Sequence, residues 1–147
     1  MANYWLHSIQ LSADVAIEGA KPPALIAQER AAILEPLDLR GRSVLDIGAW
    51  NGYFSFEAKR LGAGRVIASD SYCWTNKEFR GRETFDLARE CLGLDVEAVE
   101  IDPTELPGEL EPVGAPRQLA AAHYRNRLRL VDDTVLDGCD EQVRELR

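Results

Sequence analysis

The sequence is poor in basic residues. Its 147 residues include 17 lysines and arginines against 25 aspartates and glutamates, which gives a formal net charge of −8. A free-standing nucleic-acid-binding protein usually presents a basic face, because it must neutralise phosphates. The acidic balance therefore disfavours a DNA or RNA partner, and only a local basic patch could provide a surface that binds one.

Long apolar runs and cysteine patterns are also missing. No stretch approaches the roughly 18–20 apolar residues of a membrane-spanning helix. The opening MANYWLHSIQ lacks the basic start and apolar run of a signal peptide. Three widely spaced cysteines, Cys73, Cys91 and Cys139, form neither a disulfide framework nor a zinc pattern. We therefore expect a cytoplasmic protein with no membrane partner and no metal.

Short apolar runs alternate with helical patterns in the middle of the chain. Strands are predicted at Ser43–Ile47, Arg65–Asp70 and 95–101. Between them we expect a helix at 53–61 and a helical region at about 75–92 that is interrupted near Gly81. Such alternation is typical of an α/β fold with a parallel, Rossmann-like sheet and helices on both faces. The length of 147 residues fits one domain, 1–147.

The flanking segments carry weaker patterns. A helix is predicted after Pro22 and Pro23, at about 25–34. Beyond the third strand we expect a proline-rich loop at 103–116 and helical segments at 117–126 and 134–147. A fourth strand is expected between those helices, at Arg127–Val131.

The most informative segment joins the first two predicted strands. Gly48 follows a strand at a tight turn, where the missing Cβ lets a ligand approach the backbone. Gly52 opens the next helix, whose first N–H groups are unpaired. Asp70 ends the second strand 22 residues after Gly48, the spacing at which an acid accepts ribose hydroxyls in nucleotide-binding sheets. The turn and the acid thus bound a nucleoside-sized site, unless the glycines only form a turn and Asp70 only caps the next helix.

Two common phosphate-binding patterns are excluded. The dinucleotide pattern G-x-G-x-x-G fails because Trp50 stands where the second glycine is needed, and there is no G-x-x-x-x-G-K-[ST] loop. A nucleotide-dependent oxidoreductase is therefore disfavoured.

The pattern D-I-G-x-x-x-G at 46–52 instead resembles motif I of class I methyltransferases, which use S-adenosylmethionine (SAM). The string VLDIGAWNGYFSFEAKRLGAGRVIASD resembles the branch related to tRNA uridine-modifying enzymes that use carboxy-SAM. The segment YWLHSIQL at 4–11 is similar to the WYH-x-I-x-L segment of that branch. The strong resemblance covers about 39–102.

The resemblance implies a SAM site in this segment. Asp70 would hold the ribose hydroxyls, Ser71 would lie beside the adenine, and Asp102 would face the adenine amino group. The methionine tail would be lined by Asp46, Gly48, Ala49, Trp50, Asn51 and Gly52.

The resemblance ends near residue 112. The family's fourth-strand segment, similar to FDVVLFLGVLYHL, is not found, so the sheet is expected to be shortened to three or four strands. A natural half-domain, a truncated remnant and a short fold that uses Arg127–Val131 all remain open. Without a fourth strand the first strand exposes an apolar edge, which favours a homo-oligomer that covers it. The organisation expected is an N-terminal lid and helix (1–38), a SAM-binding half (39–102), a loop (103–116) and a divergent end (117–147).

The function implied is methyl transfer from SAM to a small molecule. The alternative is a non-catalytic SAM-binding or protein-interaction module derived from a truncated methyltransferase. No catalytic residue is assigned. His7 is the stronger of two histidine candidates near the acceptor, with packing as its rival role.

Overall fold

The structure, a computed structural model, describes residues 3–102, 127–131, 133, 136 and 137. The strands are β1 (Ile9–Gln10), β2 (Ala16–Ile17), β3 (Ser43–Ile47), β4 (Arg65–Asp70), β5 (Glu97–Glu100) and β6 (Arg127–Val131). The helices are α1 (Pro23–Ile33), α2 (Tyr53–Arg60), α3 (Tyr72–Thr75) and α4 (Gly81–Leu92).

The main sheet has four strands in the order β5-β4-β3-β6. β3, β4 and β5 are parallel neighbours, and β1 and β2 form a separate antiparallel pair. This architecture confirms the predicted α/β, Rossmann-like fold and its shortened sheet of four strands. The two outermost described strands are β5 and β6, so β3 lies inside the sheet.

The direction of β6 differs from the expected all-parallel sheet. β6 pairs with β3 in antiparallel register, with Ile47 opposite Arg127 and Ser43 opposite Val131. β5 ends beside Asp70, at the carboxyl edge of the parallel strands, and β6 begins at that same edge. A parallel strand would have to start at the opposite edge, which requires a crossover connection. The sheet is therefore mixed.

Alternate residues of the strands face two apolar clusters. On one face Val44, Val66 and Leu128 belong to the cluster that α2 and α4 complete, with Phe56 stacked on Phe85 at 5.3 Å between ring centroids. Burial of each such aromatic ring contributes roughly 1.5–3 kcal/mol to folding. On the other face the cluster contains Leu45, Ile47, Ile67, Val99, Ile101 and Leu136. Leu136 is in a helical conformation, so helical residues contact both faces.

The helical region predicted at 75–92, with its interruption near Gly81, consists of two helices as expected. Residues 76–80 separate α3 from α4, and Arg80 has a left-handed backbone with φ of 51°. A left-handed residue interrupts the helical hydrogen bonds, so α4 starts anew at Gly81. It ends at Leu92 and is capped by Gly93, whose φ is 61°. The other boundaries in 23–70 agree with the prediction to within a few residues.

Several sequence predictions lie outside the described residues. These are the loop at 103–116, the helix at 117–126 and most of the helix at 134–147. No helix in the described part of the chain is long and apolar enough to cross a membrane. β6 pairs with β3 and covers the edge that a second copy was expected to cover. That edge therefore gives no reason for self-association, which stays a prediction.

Candidate functional site

The candidate site lies at the carboxyl edge of β3 and β4. The turn at 48–52 leaves β3 there and leads into α2. The backbone N–H groups of Gly48 and Ala49 donate to the Ser69 carbonyl at 2.8 and 3.0 Å. These bonds hold the turn on the neighbouring strand, which places it beside Asp70.

Gly52 is required by two features of this turn. Its φ is 82°, in the left-handed region that favours glycine. A Cβ at this position would lie 2.6–2.7 Å from the rings of Phe85 and Phe56. The glycine therefore lets the turn pack on the aromatic core below it, a role that does not depend on a ligand.

Asp46 lies inside the protein beneath this turn. Its side chain is fully buried, and one carboxylate oxygen accepts a hydrogen bond from Ser55 Oγ at 2.6 Å. The other oxygen has no hydrogen-bond partner among the described residues. Burial raises the pKa of Asp46 to about 6, the Ser55 hydroxyl opposes the rise, and the nearby Asp70 adds to it. Asp46 is therefore close to half-protonated at mildly acidic pH.

Asp70 joins the turn to the start of α3. Its carboxylate accepts the backbone N–H of Trp50 and that of Cys73, each at 3.0 Å. Burial raises its pKa, and these backbone donors oppose the rise. Asp70 thus orders the turn and the first turn of α3 from the end of β4.

The two carboxylates form an acidic site without a cationic partner. Among the described residues, no lysine, arginine or histidine pairs with Asp46 or Asp70. A buried acid is stabilised in its charged form by a nearby positive charge. The pair therefore favours a ligand that carries positive charge.

Trp50, within the turn at 48–52, has a strained backbone conformation. Its φ is 53°, and a left-handed backbone costs a side-chain-bearing residue roughly 1–2 kcal/mol. Its ring packs 5.2 Å from Phe79 and 5.8 Å from Tyr4, and its carbonyl accepts Trp74 Nε1–H at 2.7 Å. These contacts, together with its N–H bond to Asp70, offset the strain.

Asn51 lies at the turn but its amide is engaged within the protein. Nδ2 donates to the His7 carbonyl at 3.2 Å, and Oδ1 accepts the His7 N–H at 3.3 Å. The side chain is 1% exposed. Asn51 therefore fixes the N-terminal segment over the turn.

The remaining predicted site residues are less central. Ala49 is buried in the apolar core, and Ser71 is the half-buried residue before α3. Asp102 is exposed and follows β5 at the same sheet edge. The structure thus brings together Asp46, the turn at 48–52 and Asp70, while Asp102 lies beyond β5.

Sequence reasoning missed Ser55, which hydrogen-bonds Asp46 from the third position of α2. A hydroxyl nine residues after a strand acid, in the first turn of the next helix, is the signal that predicts this contact. The described residues contain no group of three histidine, cysteine or acidic side chains that could hold a metal ion.

The sequence matches no known family model. It is 32% identical over 120 residues to a tRNA U34 carboxymethyltransferase of Campylobacter hominis. The aligned part is 74% of this chain and 42% of that relative, so the chain spans less than half the length of the relative it matches. This similarity and the Rossmann-like sheet give weak support to a relationship with the methyltransferases.

Proposed function

We propose that this protein binds SAM at the carboxyl edge of β3 and β4 and transfers its methyl group to a small molecule. The observation that carries the proposal is the acidic site, in which Asp46 and Asp70 are buried without a cationic partner among the described residues. SAM bears a sulfonium and an ammonium group, which are complementary to two carboxylates. The similarity to a tRNA U34 carboxymethyltransferase supports the same assignment.

The chemistry requires little of the protein beyond positioning. In methyl transfer the acceptor's lone pair forms a bond to the methyl carbon while the carbon–sulfur bond breaks, and its electrons leave a neutral thioether. The turn at 48–52 and the Asp70 carboxylate would hold the nucleoside end so that the methyl group faces the acceptor. A proton on the acceptor would pass to water or to a base.

The proposed acceptor is a small molecule. The net charge of −8 gives the chain no general attraction for phosphates. The relative is named for a tRNA substrate, so tRNA is the acceptor to compare. Transfer of a labelled methyl group to a metabolite extract and not to total tRNA would support the proposal, and the reverse result would replace the small molecule with RNA.

The binding experiment is a calorimetric titration with SAM and with S-adenosylhomocysteine, which lacks the sulfonium charge. We expect micromolar binding of SAM, and a loss of tenfold or more in Asp70→Asn, since a hydrogen-bonded charge is removed. Asp38→Asn is the matched control, because Asp38 is an exposed acid remote from the turn whose carboxylate lies 3.8 Å from Arg40. Absence of SAM binding by the folded wild-type protein would refute the proposal.

A second candidate function is SAM binding without catalysis. It is favoured by the alignment, which covers only 42% of the methyltransferase relative and so matches less than half of that enzyme. The two candidates differ in turnover. Binding of SAM with no formation of S-adenosylhomocysteine, tested with pooled metabolites and with tRNA, would favour the binding module.

A further inference from the structure

His7 is a fully buried histidine with an unusual environment. Its exposed fraction is 0%, and neither ring nitrogen has a hydrogen-bond partner among the described residues. The ring lies 5.6 Å from the ring of Phe54 and 6.0 Å from that of Tyr53. Buried polar atoms are nearly always hydrogen-bonded, so an orphaned pair of nitrogens points to a missing partner.

Two features near His7 carry positive charge, the start of α2 and the ammonium group of Lys21, which is itself paired with Glu29 at 2.8 Å. The ring packs against Tyr53 and Phe54, the first two residues of α2, whose backbone N–H groups have no acceptor among the described residues. A helix start carries partial positive charge. Burial, with the charge of Lys21 as a second cause, lowers the pKa of His7 to about 3, and the neighbouring Asn51 side chain partly opposes the fall. The imidazole is therefore neutral at physiological pH, with one N–H to donate.

The backbone of His7 is held in place independently of its ring. The Asn51 amide binds both the N–H and the carbonyl of His7, and Gly19 packs so closely that a Cβ there would lie 2.6 Å from the His7 carbonyl carbon. The ring is thus positioned at the start of α2 by contacts that do not use its nitrogens.

We propose that His7 is a ligand-binding residue whose ring N–H donates to the carboxylate of the methionine moiety of SAM, beside the N–H groups that open α2. The proposal rests on the proposed function and adds the direction in which the charged groups of SAM lie in the site. Asp46 and Asp70 would stabilise the cationic part of the ligand by their charge, Asp70 while it holds the nucleoside end, and His7 with the start of α2 would receive the anionic part. The two ends of the site differ in electrostatic character, as a zwitterionic amino-acid tail requires.

The experiment compares SAM with decarboxylated SAM, which keeps the adenosine, sulfonium and amine but lacks the carboxylate. Both are titrated into the wild-type protein and into His7→Phe, whose ring suits the aromatic surroundings. We expect His7→Phe to bind SAM tenfold or more weakly and decarboxylated SAM within about twofold of wild type, because only a carboxylate loses its donor. His7→Gln keeps an N–H donor and is expected to recover most of the SAM affinity.

The outcomes separate the inference from the function. Equal loss of both ligands in His7→Phe would show a structural role, and unchanged SAM binding would show that the ring does not contact the ligand. Either result overturns the role proposed for His7 and leaves the proposed binding of SAM by the wild-type protein unaffected. No binding of SAM by wild type would refute the function itself. Imidazole nitrogen chemical shifts of His7 in the wild-type protein, expected to move with SAM and not with decarboxylated SAM, give the same decision if His7→Phe does not fold.

Discussion

Two regions around the turn at 48–52 bury titratable groups in contrasting ways. The acidic site places Asp46 and Asp70 against hydrogen-bond donors from Ser55, Trp50 and Cys73. The His7 pocket, formed by His7 with the first residues of α2, is aromatic, and none of the described residues hydrogen-bonds the ring nitrogens. Burial favours the neutral form in both regions. It therefore raises the pKa of Asp46 to about 6 and lowers that of His7 to about 3.

The two shifts give opposite dependences of stability on pH. The folded pKa of Asp46 lies above its ordinary 3.8. Its contribution to the free energy of unfolding is therefore fully present below pH 3.8 and is lost as pH rises towards 6. The folded pKa of His7 lies below its ordinary 6.5. Its contribution to the free energy of unfolding is therefore fully present above pH 6.5 and is lost as pH falls towards 3. Between pH 4 and 6 the two effects oppose each other.

The largest effect is expected from Gly52→Ala, which disturbs the turn that separates the regions. The new Cβ would meet two aromatic rings, and the left-handed φ adds strain, so we expect the free energy of unfolding to fall by about 4 kcal/mol. Urea denaturation measures the change. Gly41→Ala is the matched control, since Gly41 has a φ of 68° but nothing within 4 Å of a Cβ, and should cost only about 1 kcal/mol. Equal costs for both variants would contradict the packing argument.

His7→Phe removes the part of the pH dependence of stability that comes from His7. Wild type is expected to lose about 3 kcal/mol through His7 between pH 7.5 and pH 4, because unfolding releases a histidine that then binds a proton. The variant has no such group, so its stability relative to wild type should rise by that amount on acidification. Denaturation curves at the two pH values check this. A constant difference between the variant and wild type would show that His7 is protonated in the folded protein.

For Asp46→Asn the stability relative to wild type should change in the opposite direction with pH, and by a slightly smaller amount. The cost of an ionised, buried Asp46 above pH 6 is about 3 kcal/mol, from the difference between 3.8 and about 6. The amide avoids that cost, so the variant should be more stable than wild type at pH 7.5 and lose most of this advantage at pH 4. Asp38→Asn, at an exposed acid, serves as the control. A variant that is destabilised equally at both pH values would show that the pKa of Asp46 is not raised in the folded protein.

The sequence predicted the local parts of this arrangement and missed the long-range ones. β3, the turn, α2 and β4 follow from short apolar runs, two glycines and an acid at a fixed spacing, all of which act over a few residues. The direction of β6 depends on how the chain returns to the sheet after β5, which no local pattern specifies.

The same limit applies to the side chains of the candidate site. Asn51 was expected to line the methionine tail, but its amide binds the backbone of a residue 44 positions earlier. Trp50 adopts a glycine-like conformation only because Asp70, Phe79 and Trp74 support it from later parts of the chain. Whether Asp46, Asp70 and the turn bind SAM stays a prediction that the titrations above decide.

The smallest effect is expected from Asn51→Ala, which uncouples the two regions. The change removes both hydrogen bonds to His7 and leaves a buried N–H and carbonyl without partners, at a cost of about 2 kcal/mol. Because the lost bonds join the N-terminal segment to the turn, amide hydrogen exchange should accelerate at residues 6–9 while β3 and β4 keep their protection. Gln10→Ala is the control, since its side chain makes only exposed contacts with Ser12 and Val15. Faster exchange throughout β3 as well would show that the segment over the turn and the sheet beneath it unfold as one unit, and that the acidic site and the His7 pocket are not separable.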